Sequence, residues 1–358
     1  MEIDEERVRR ITAEVLQKLR ESGAVSAGGV SAGAEPTGAV TAAHASPSAP
    51  ADPGTWGVFS EMESAVGAAR EAHRDLVSGS LVMRRAVIAA MRRAVLENLE
   101  SISREAMEET GFGRTDDKIA KNRLAAEMTP GVEDLEPTAY TDDHGLTLVE
   151  RAPYGVIGAI APSTNPTETI INNGIGMVAG GNAVVFNAHP AAKKISARVV
   201  ALLNQAAVGA GGPANLICTI REPGIETAQL MMRHPGINLL VVTGGPGVVK
   251  EAMATDKKVI AAGPGNPPCV VDETADLVKA GRDIVRGAGF DNNIICICEK
   301  EVLAVESIAD PLKGEMKRNG AFELTSEQTE RVTRLVISDP GRPGHEGAPN
   351  KKFVGKNA

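Results

Sequence analysis

Cys296 and Cys298 stand two residues apart in the segment Phe290-Asp291-Asn292-Asn293-Ile294-Ile295-Cys296-Ile297-Cys298-Glu299-Lys300. Two thiols at that spacing offer little to a metal, because no second Cys pair or His cluster accompanies them. A disulfide between them would be strained. Taken alone, they fit core packing better than metal chemistry. Cys218 and Cys269 sit in apolar runs and are expected to be buried and inert. A second candidate is the amide of Asn165, in Ala161-Pro162-Ser163-Thr164-Asn165-Pro166-Thr167-Glu168-Thr169. Either it caps the helix that follows, or it presents an N–H at the carboxyl end of a strand, able to donate to an oxyanion. A third is the run Leu239-Leu240-Val241-Val242-Thr243-Gly244-Gly245-Pro246-Gly247. Here an apolar strand enters glycines and then a helix. Such glycines let the backbone approach a pyrophosphate, and a helix N-terminus favours the anion; a plain strand-to-helix turn fits as well. Gly174-Ile175-Gly176-Met177-Val178-Ala179 formally matches G-x-G-x-x-A. No strand feeds it, and Lys193 and Lys194 stand where an acidic residue belongs. Its small residues are read as helix packing.

These side chains need elements to hold them. Short apolar runs at 156–161, 183–186, 216–219, 239–242 and 259–261 alternate with helix-like stretches such as 191–209 and 225–233. Buried parallel strands with intervening helices predict a doubly wound α/β domain, which binds ligands at the carboxyl ends of its strands. Upstream, 62–111 reads as helical, with Val87, Met91 and Val95 at helical spacing and Gly111-Phe112-Gly113 as the stop. A short helix is expected at 116–128, and residues 145–151 alternate as a strand does.

The N-terminal region has a different texture. Within 4–21, Val8, Ile11, Val15, Leu16 and Leu19 fall in an arc of roughly 140° on a helix. Residues 23–54 are almost entirely Ala, Gly, Ser, Pro, Thr and Val, the composition of a flexible linker. A helix on such a leash is placed to dock in a groove of another protein, rather than on its own domain. The whole chain of 358 residues carries a net charge of −8 and only 3% aromatics. That argues against a nucleic-acid partner, which needs a basic stripe or stacking rings. No apolar run reaches a membrane span. Met1-Glu2-Ile3-Asp4-Glu5-Glu6 is too acidic for a secretory signal, and four cysteines are too few for a disulfide scaffold, so a reducing cytoplasm is expected.

Several runs together resemble one family. Residues 161–173, Val242-Thr243-Gly244-Gly245, Gly265-Asn266-Pro267-Pro268 and Asp291-Asn292-Asn293-Ile294-Ile295-Cys296 are similar to the aldehyde dehydrogenase superfamily, in its coenzyme-A-acylating branch. The likeness is greatest to the propionaldehyde and acetaldehyde dehydrogenases of bacterial microcompartments, and it covers residue 57 onward. The resemblance implies a Rossmann-type NAD-binding domain at 55–262 and a second, here incomplete, α/β catalytic domain at 263–358. It makes 1–22 an encapsulation helix for a microcompartment shell protein, on a linker at 23–54. It implies Cys296 as nucleophile, Asn165 as oxyanion donor, and Thr243, Gly244 and Gly245 beside the phosphates of NAD. Ser163, Asn187 and His189 go to the cofactor side, the last two near adenine. The implied reaction oxidises a short aldehyde, propionaldehyde first and acetaldehyde next, with NAD and coenzyme A, giving the acyl-CoA. An enzyme of this type would form homo-oligomers and work inside a compartment in the cytoplasm.

The chain also departs from the family. Hydrolytic members open a segment resembling E-L-G-G-K-N-P with a general-base Glu; aligned on Asn266-Pro267, that position is Ala261. Without that base, water attack on a thioester should slow by roughly 10²–10⁴-fold. The expectation is a pocket with no carboxylate to recruit water, waiting for a thiol. The family also continues past the sequence ending at Ala358, with a tail that pairs across subunits with the strand near 145–151. This implies a truncated product with an open aldehyde pocket. A catalytically impaired cargo protein, or a nucleotide-binding module for another dehydrogenase chemistry, are the rival readings.

Overall fold

A computed structural model describes residues 56–357, apart from 344 and 346. The docking helix at 1–22 and the linker at 23–54 lie outside the described residues.

One six-stranded parallel sheet organises the chain. Its strands are β1 (Val58–Phe59), β4 (Val156–Ala161), β5 (Ala183–Ala188), β6 (Ile217–Ile220), β7 (Leu239–Thr243) and β8 (Lys258–Ala262). The β2 (Thr138–Asp142) and β3 (Gly145–Val149) strands form a separate antiparallel hairpin. The sheet order is β1-β6-β5-β4-β7-β8, with every neighbouring pair parallel. From β4 the chain builds outward through β5 to β6, then returns to lay β7 on the other side of β4. Adjacent strands thus lead away in opposite directions, which opens a crevice at the carboxyl ends of β4 and β7.

Of the strands read from the sequence as continuous apolar runs, β4, β5 and β6 are buried on both faces and β7 largely so, whereas β8, expected buried, is mostly exposed because it is the edge strand. All six residues of β4 and all six of β5 are buried. Their period of two survives nonetheless. Val184 and Phe186 join one core layer with Val87, Met91, Ile102, Ile175 and Leu203. Ala183 and Val185 join the other with Val66, Met231 and Leu240. Helices on both faces make this a doubly wound α/β domain. Gly174 sits in the helix Pro166–Ala179, where a Cβ would approach Ile217 Cδ1 at 3.0 Å. Close helix packing is therefore the use of its small-residue run.

The helical stretch at 62–111 is three helices: Met62–Ser78, Leu81–Glu97 and Leu99–Thr110. Ser80 starts the second by accepting a hydrogen bond from the Met83 amide, a capping signal that outweighs the continuous apolar spacing. Gly111 ends the third with φ +66°, which a glycine adopts without strain. A smaller core of Val271, Ile284 and Leu312 lies among β9 (Pro268–Val271), β10 (Glu301–Ala304) and the helices Leu277–Gly289 and Glu306–Arg318. The β9 and β10 strands pair in parallel. Among the described residues, no helix is long and apolar enough to cross a membrane.

Candidate active site

The crevice is a cavity of about 890 Å³, lined by Ser163, Asn165, Asn187, His189, Thr243, Gly244, Gly245 and Cys296. All the expected site residues therefore meet on one surface, drawn from four segments. A second cavity, of about 840 Å³, lies beyond; Asn165, Thr243, Ile295 and Cys296 line both. The thiol and the amide stand where the two spaces join.

Cys296 is half-buried, whereas Cys298 is buried with Sγ 3.9 Å from the Phe290 carbonyl oxygen. Core packing thus describes Cys298 and Cys218; Cys269 is half-buried in β9. The loop before Cys296 is unusual. Asp291, Asn292 and Asn293 have φ of 47°, 54° and 56°. Asp and Asn tolerate this left-handed region better than other side chains, which gives the Asp-Asn-Asn run its physical reason. The loop is also tied down. Asn293 Nδ2 donates to the Ala288 and Glu299 carbonyls at 2.7 and 3.1 Å. Lys300 Nζ donates to the carbonyls of Ile295 and Cys298 at 3.0 and 3.3 Å. Behind it runs Gly265, where any Cβ would collide with the Cys296 carbonyl oxygen.

Asn165 precedes the helix Pro166–Ala179, but its side chain makes no capping bond. Its Oδ1 accepts from Lys121 Nζ at 2.7 Å, and its Nδ2 donates to Thr164 Oγ1 at 3.2 Å. The capping reading is thereby corrected. Asn187 is fastened at both ends: Oδ1 accepts from Thr227 Oγ1 at 2.7 Å, and Nδ2 donates to the Gly224 carbonyl at 3.3 Å. It contributes wall and rigidity. His189 Nδ1 accepts from the Ala191 amide at 3.1 Å, and desolvation pushes its pKa down, so the ring is neutral at pH 7. Thr243 ends β7, and Gly245 opens the helix Pro246–Met253 with open space where a side chain would be. A helix N-terminus at the mouth of a crevice with unobstructed backbone fits a dinucleotide pyrophosphate.

Sequence reasoning gave no role to four buried ionic groups at this site. Lys118 and Asp291 are fully buried, with Nζ 3.5 Å from Oδ2. Lys121 Nζ lies 2.5 Å from the same oxygen and 3.0 Å from Glu168 Oε1. Burial first, and Lys121 second, push the Lys118 ammonium below the usual lysine range. The available signal was a weak one: two lysines three apart on a helix that also carries Asp116, Asp117, Arg123 and Glu127. The expectation of a pocket without carboxylates is also corrected. Glu168, Asp283 and Glu299 line the second cavity, and Glu251 lines the first. Glu168 pairs with Lys121, Asp283 with Lys279 and Arg282, and Glu251 with Arg233. The Glu299 carboxylate lies where a Cβ on Gly287 would be. Ala261, at the fourth position of β8, carries no titratable group.

The profile of the family described as "Aldehyde dehydrogenase family" matches residues 57–327. The chain belongs to the aldehyde dehydrogenase family. It is 47% identical, over its whole length and 71% of the relative's, to the acetaldehyde dehydrogenase (acetylating) of Bilophila wadsworthia. The crystal structure of Rhodopseudomonas palustris propionaldehyde dehydrogenase with bound propionyl-CoA superposes with a TM-score of 0.80 at 48% identity, covering 85% of this chain and 66% of that one. The propionaldehyde dehydrogenase from the Clostridium phytofermentans fucose utilisation bacterial microcompartment gives 0.78 at 49%, covering 84% and 68%. The chain thus spans about two thirds of the length of these aldehyde dehydrogenases.

Proposed function

We propose that this aldehyde dehydrogenase oxidises a short aldehyde, propionaldehyde or acetaldehyde, with NAD and passes the acyl group to coenzyme A. One observation carries the reading: Cys296 and Asn165 share the junction between a crevice at the sheet's switch point and a second cavity. The relatives' names, acetylating and propionyl-CoA-bound, support the acyl acceptor.

The Cys296 thiolate attacks the carbonyl carbon. The new S–C bond pushes the carbonyl π electrons onto oxygen, and one Asn165 N–H donates to that charge. When bound, the nicotinamide ring supplies the acceptor for the hydride that leaves this carbon. Residues 243–245 would hold its phosphates; Ser163, Asn187 and His189 would line the remainder. Cys296 is left as a thioester. No carboxylate stands at Ala261 to deprotonate water, and Glu168 is engaged by Lys121. The thiolate of coenzyme A attacks instead, the acyl–S bond to Cys296 breaks, and the protein thiolate is restored. One methylene is worth about 1–3 kcal/mol of discrimination, so both aldehydes should be accepted.

The test mixes the chain with propionaldehyde, NAD and coenzyme A. NADH should form, require coenzyme A, and vanish in Cys296→Ser, with an acyl adduct on Cys296 in mass spectra of trapped turnover. NADH formation indifferent to coenzyme A would overturn the reading in favour of hydrolysis.

The same proposal divides the chain into a cofactor domain at 55–262 and part of a catalytic domain at 263–358. It places the enzyme inside a microcompartment in the cytoplasm, with residues 1–22 docking to a shell protein; the Clostridium relative's source supports the location. A fluorescent reporter fused to residues 1–22 should concentrate in shells, and a diffuse signal would reject the docking role. In a full-length enzyme homo-oligomers would form through the hairpin of β2 and β3, whose residues are all exposed and include Leu146 and Leu148.

A further inference from the structure

We infer that Lys121 is a positioning residue that fixes the orientation of the Asn165 amide and ties it to the nucleophile's loop. The inference rests on the oxyanion role proposed for Asn165. Lys121 Nζ donates a hydrogen bond to Asn165 Oδ1 at 2.7 Å and forms ion pairs with Asp291 Oδ2 at 2.5 Å and Glu168 Oε1 at 3.0 Å. The partners come from three places, namely the turn after β4, the first turn of the following helix, and the start of the loop that ends at Cys296. One buried ammonium therefore fastens the oxyanion donor and the nucleophile's support together.

The amide has two ends of opposite character. If it turned over, Nδ2 would face the ammonium and Oδ1 would face the developing oxyanion, so both contacts would become repulsive. With Oδ1 held by a full positive charge, Nδ2 is the end left for substrate. One of its hydrogens goes to Thr164 Oγ1 at 3.2 Å, which leaves one for the carbonyl oxygen. The charge also draws electron density along the amide and strengthens the remaining N–H as a donor.

Asp291 has its own fixings: Oδ1 accepts from the Arg114 amide at 2.7 Å, and its amide donates to Asp117 Oδ2 at 2.9 Å. Lys118 gives it a second ammonium at 3.5 Å. The loop can thus keep its place when Lys121 is removed, whereas Asn165 Oδ1 has Lys121 as its hydrogen-bond donor.

The test follows acylation of the full chain by p-nitrophenyl acetate. Cys296 Sγ bonds to the acetyl carbon, the ester C–O bond breaks, and p-nitrophenolate leaves with its electron pair. This step builds an oxyanion but needs neither NAD nor coenzyme A. Lys121→Met combined with Glu168→Gln keeps the buried charges balanced. It should acylate on the order of 100-fold slower, the size of a misplaced reacting geometry. Asn165→Ala should fall comparably, and adding it to the Lys121→Met/Glu168→Gln pair should cost nothing further. Alkylation of Cys296 by iodoacetamide, which builds no oxyanion, should stay within about threefold throughout. Lys121→Arg, which keeps the charge but cannot place a single nitrogen on Asn165 Oδ1 and both carboxylates, is the second variant should the pair not fold; it should slow acylation at least tenfold with alkylation intact. Acylation at the wild-type rate, slowing that multiplies with Asn165→Ala, or a parallel loss of alkylation would each overturn the inference. The coenzyme-A-dependent NADH assay judges the proposed reaction separately. Its failure with ester acylation intact would strike the reaction and leave Lys121 in its role.

Discussion

The cysteines differ by environment more than by type. Cys296 borders two cavities, while Cys298, two residues on, is buried, and burial pushes its thiol pKa up. Cys218 is fully buried and shifted further in the same direction. A raised pKa keeps a thiol protonated at neutral pH, and the thiolate is the reactive form. Iodoacetamide at pH 7 should therefore modify Cys296 ahead of Cys298 and Cys218, as read by peptide mass spectrometry. Modification of Cys298 should rise only as pH passes above the ordinary thiol range; equal labelling at pH 7 would contradict the assignment. At the same scale, Asn165→Ala removes one oxyanion donor and should lower kcat by roughly 10²–10³-fold. Its melting temperature should fall by a few degrees with the fold retained, because the buried Lys121 ammonium loses its acceptor at 2.7 Å.

Elements hold these groups by close backbone approach. The segment after β8 passes the nucleophile's loop at Gly265, where a methyl group would meet the Cys296 carbonyl oxygen. Gly265→Ala should displace that loop, lowering kcat at least tenfold, with circular dichroism unchanged. Unaltered kinetics would show that the loop can yield. Ser80 separates two helices by capping the second; Ser80→Ala should cost about 1 kcal/mol in chemical denaturation. These cases also show what local patterns conceal. Apolar spacing runs smoothly across 62–111, and the breaks are marked by local bonds, the Met83 amide to Ser80 Oγ and Asn98 Nδ2 to the Ala94 carbonyl, rather than by a change of period.

At the scale of the molecule, the sheet's reversal between β4 and β7 creates the crevice, so a ligand there bridges both halves of the sheet. NAD at a hundred times its dissociation constant should stabilise the fold by about 2.7 kcal/mol. For a domain of this size that is a rise in Tm of roughly 5–10 °C, readable by differential scanning fluorimetry. No shift at saturating NAD would count against the crevice as the cofactor site.

Local sequence was enough for β4, β5, β6, β7 and β8, their intervening helices and the chemistry types at the strand ends, but it missed the two-residue β1 of the same sheet and the β9–β10 pair. Burial on both faces demands continuous apolar runs, and turns demand Gly, Asn and Pro, so both leave local marks. Tertiary structure alone decided the charges behind the site. Lys118 meets Asp291 across 173 residues, and Lys121 meets Asn165 across 44. A buried charge is tolerable only beside its partner. Nothing in the neighbouring residues records which distant group that partner will be.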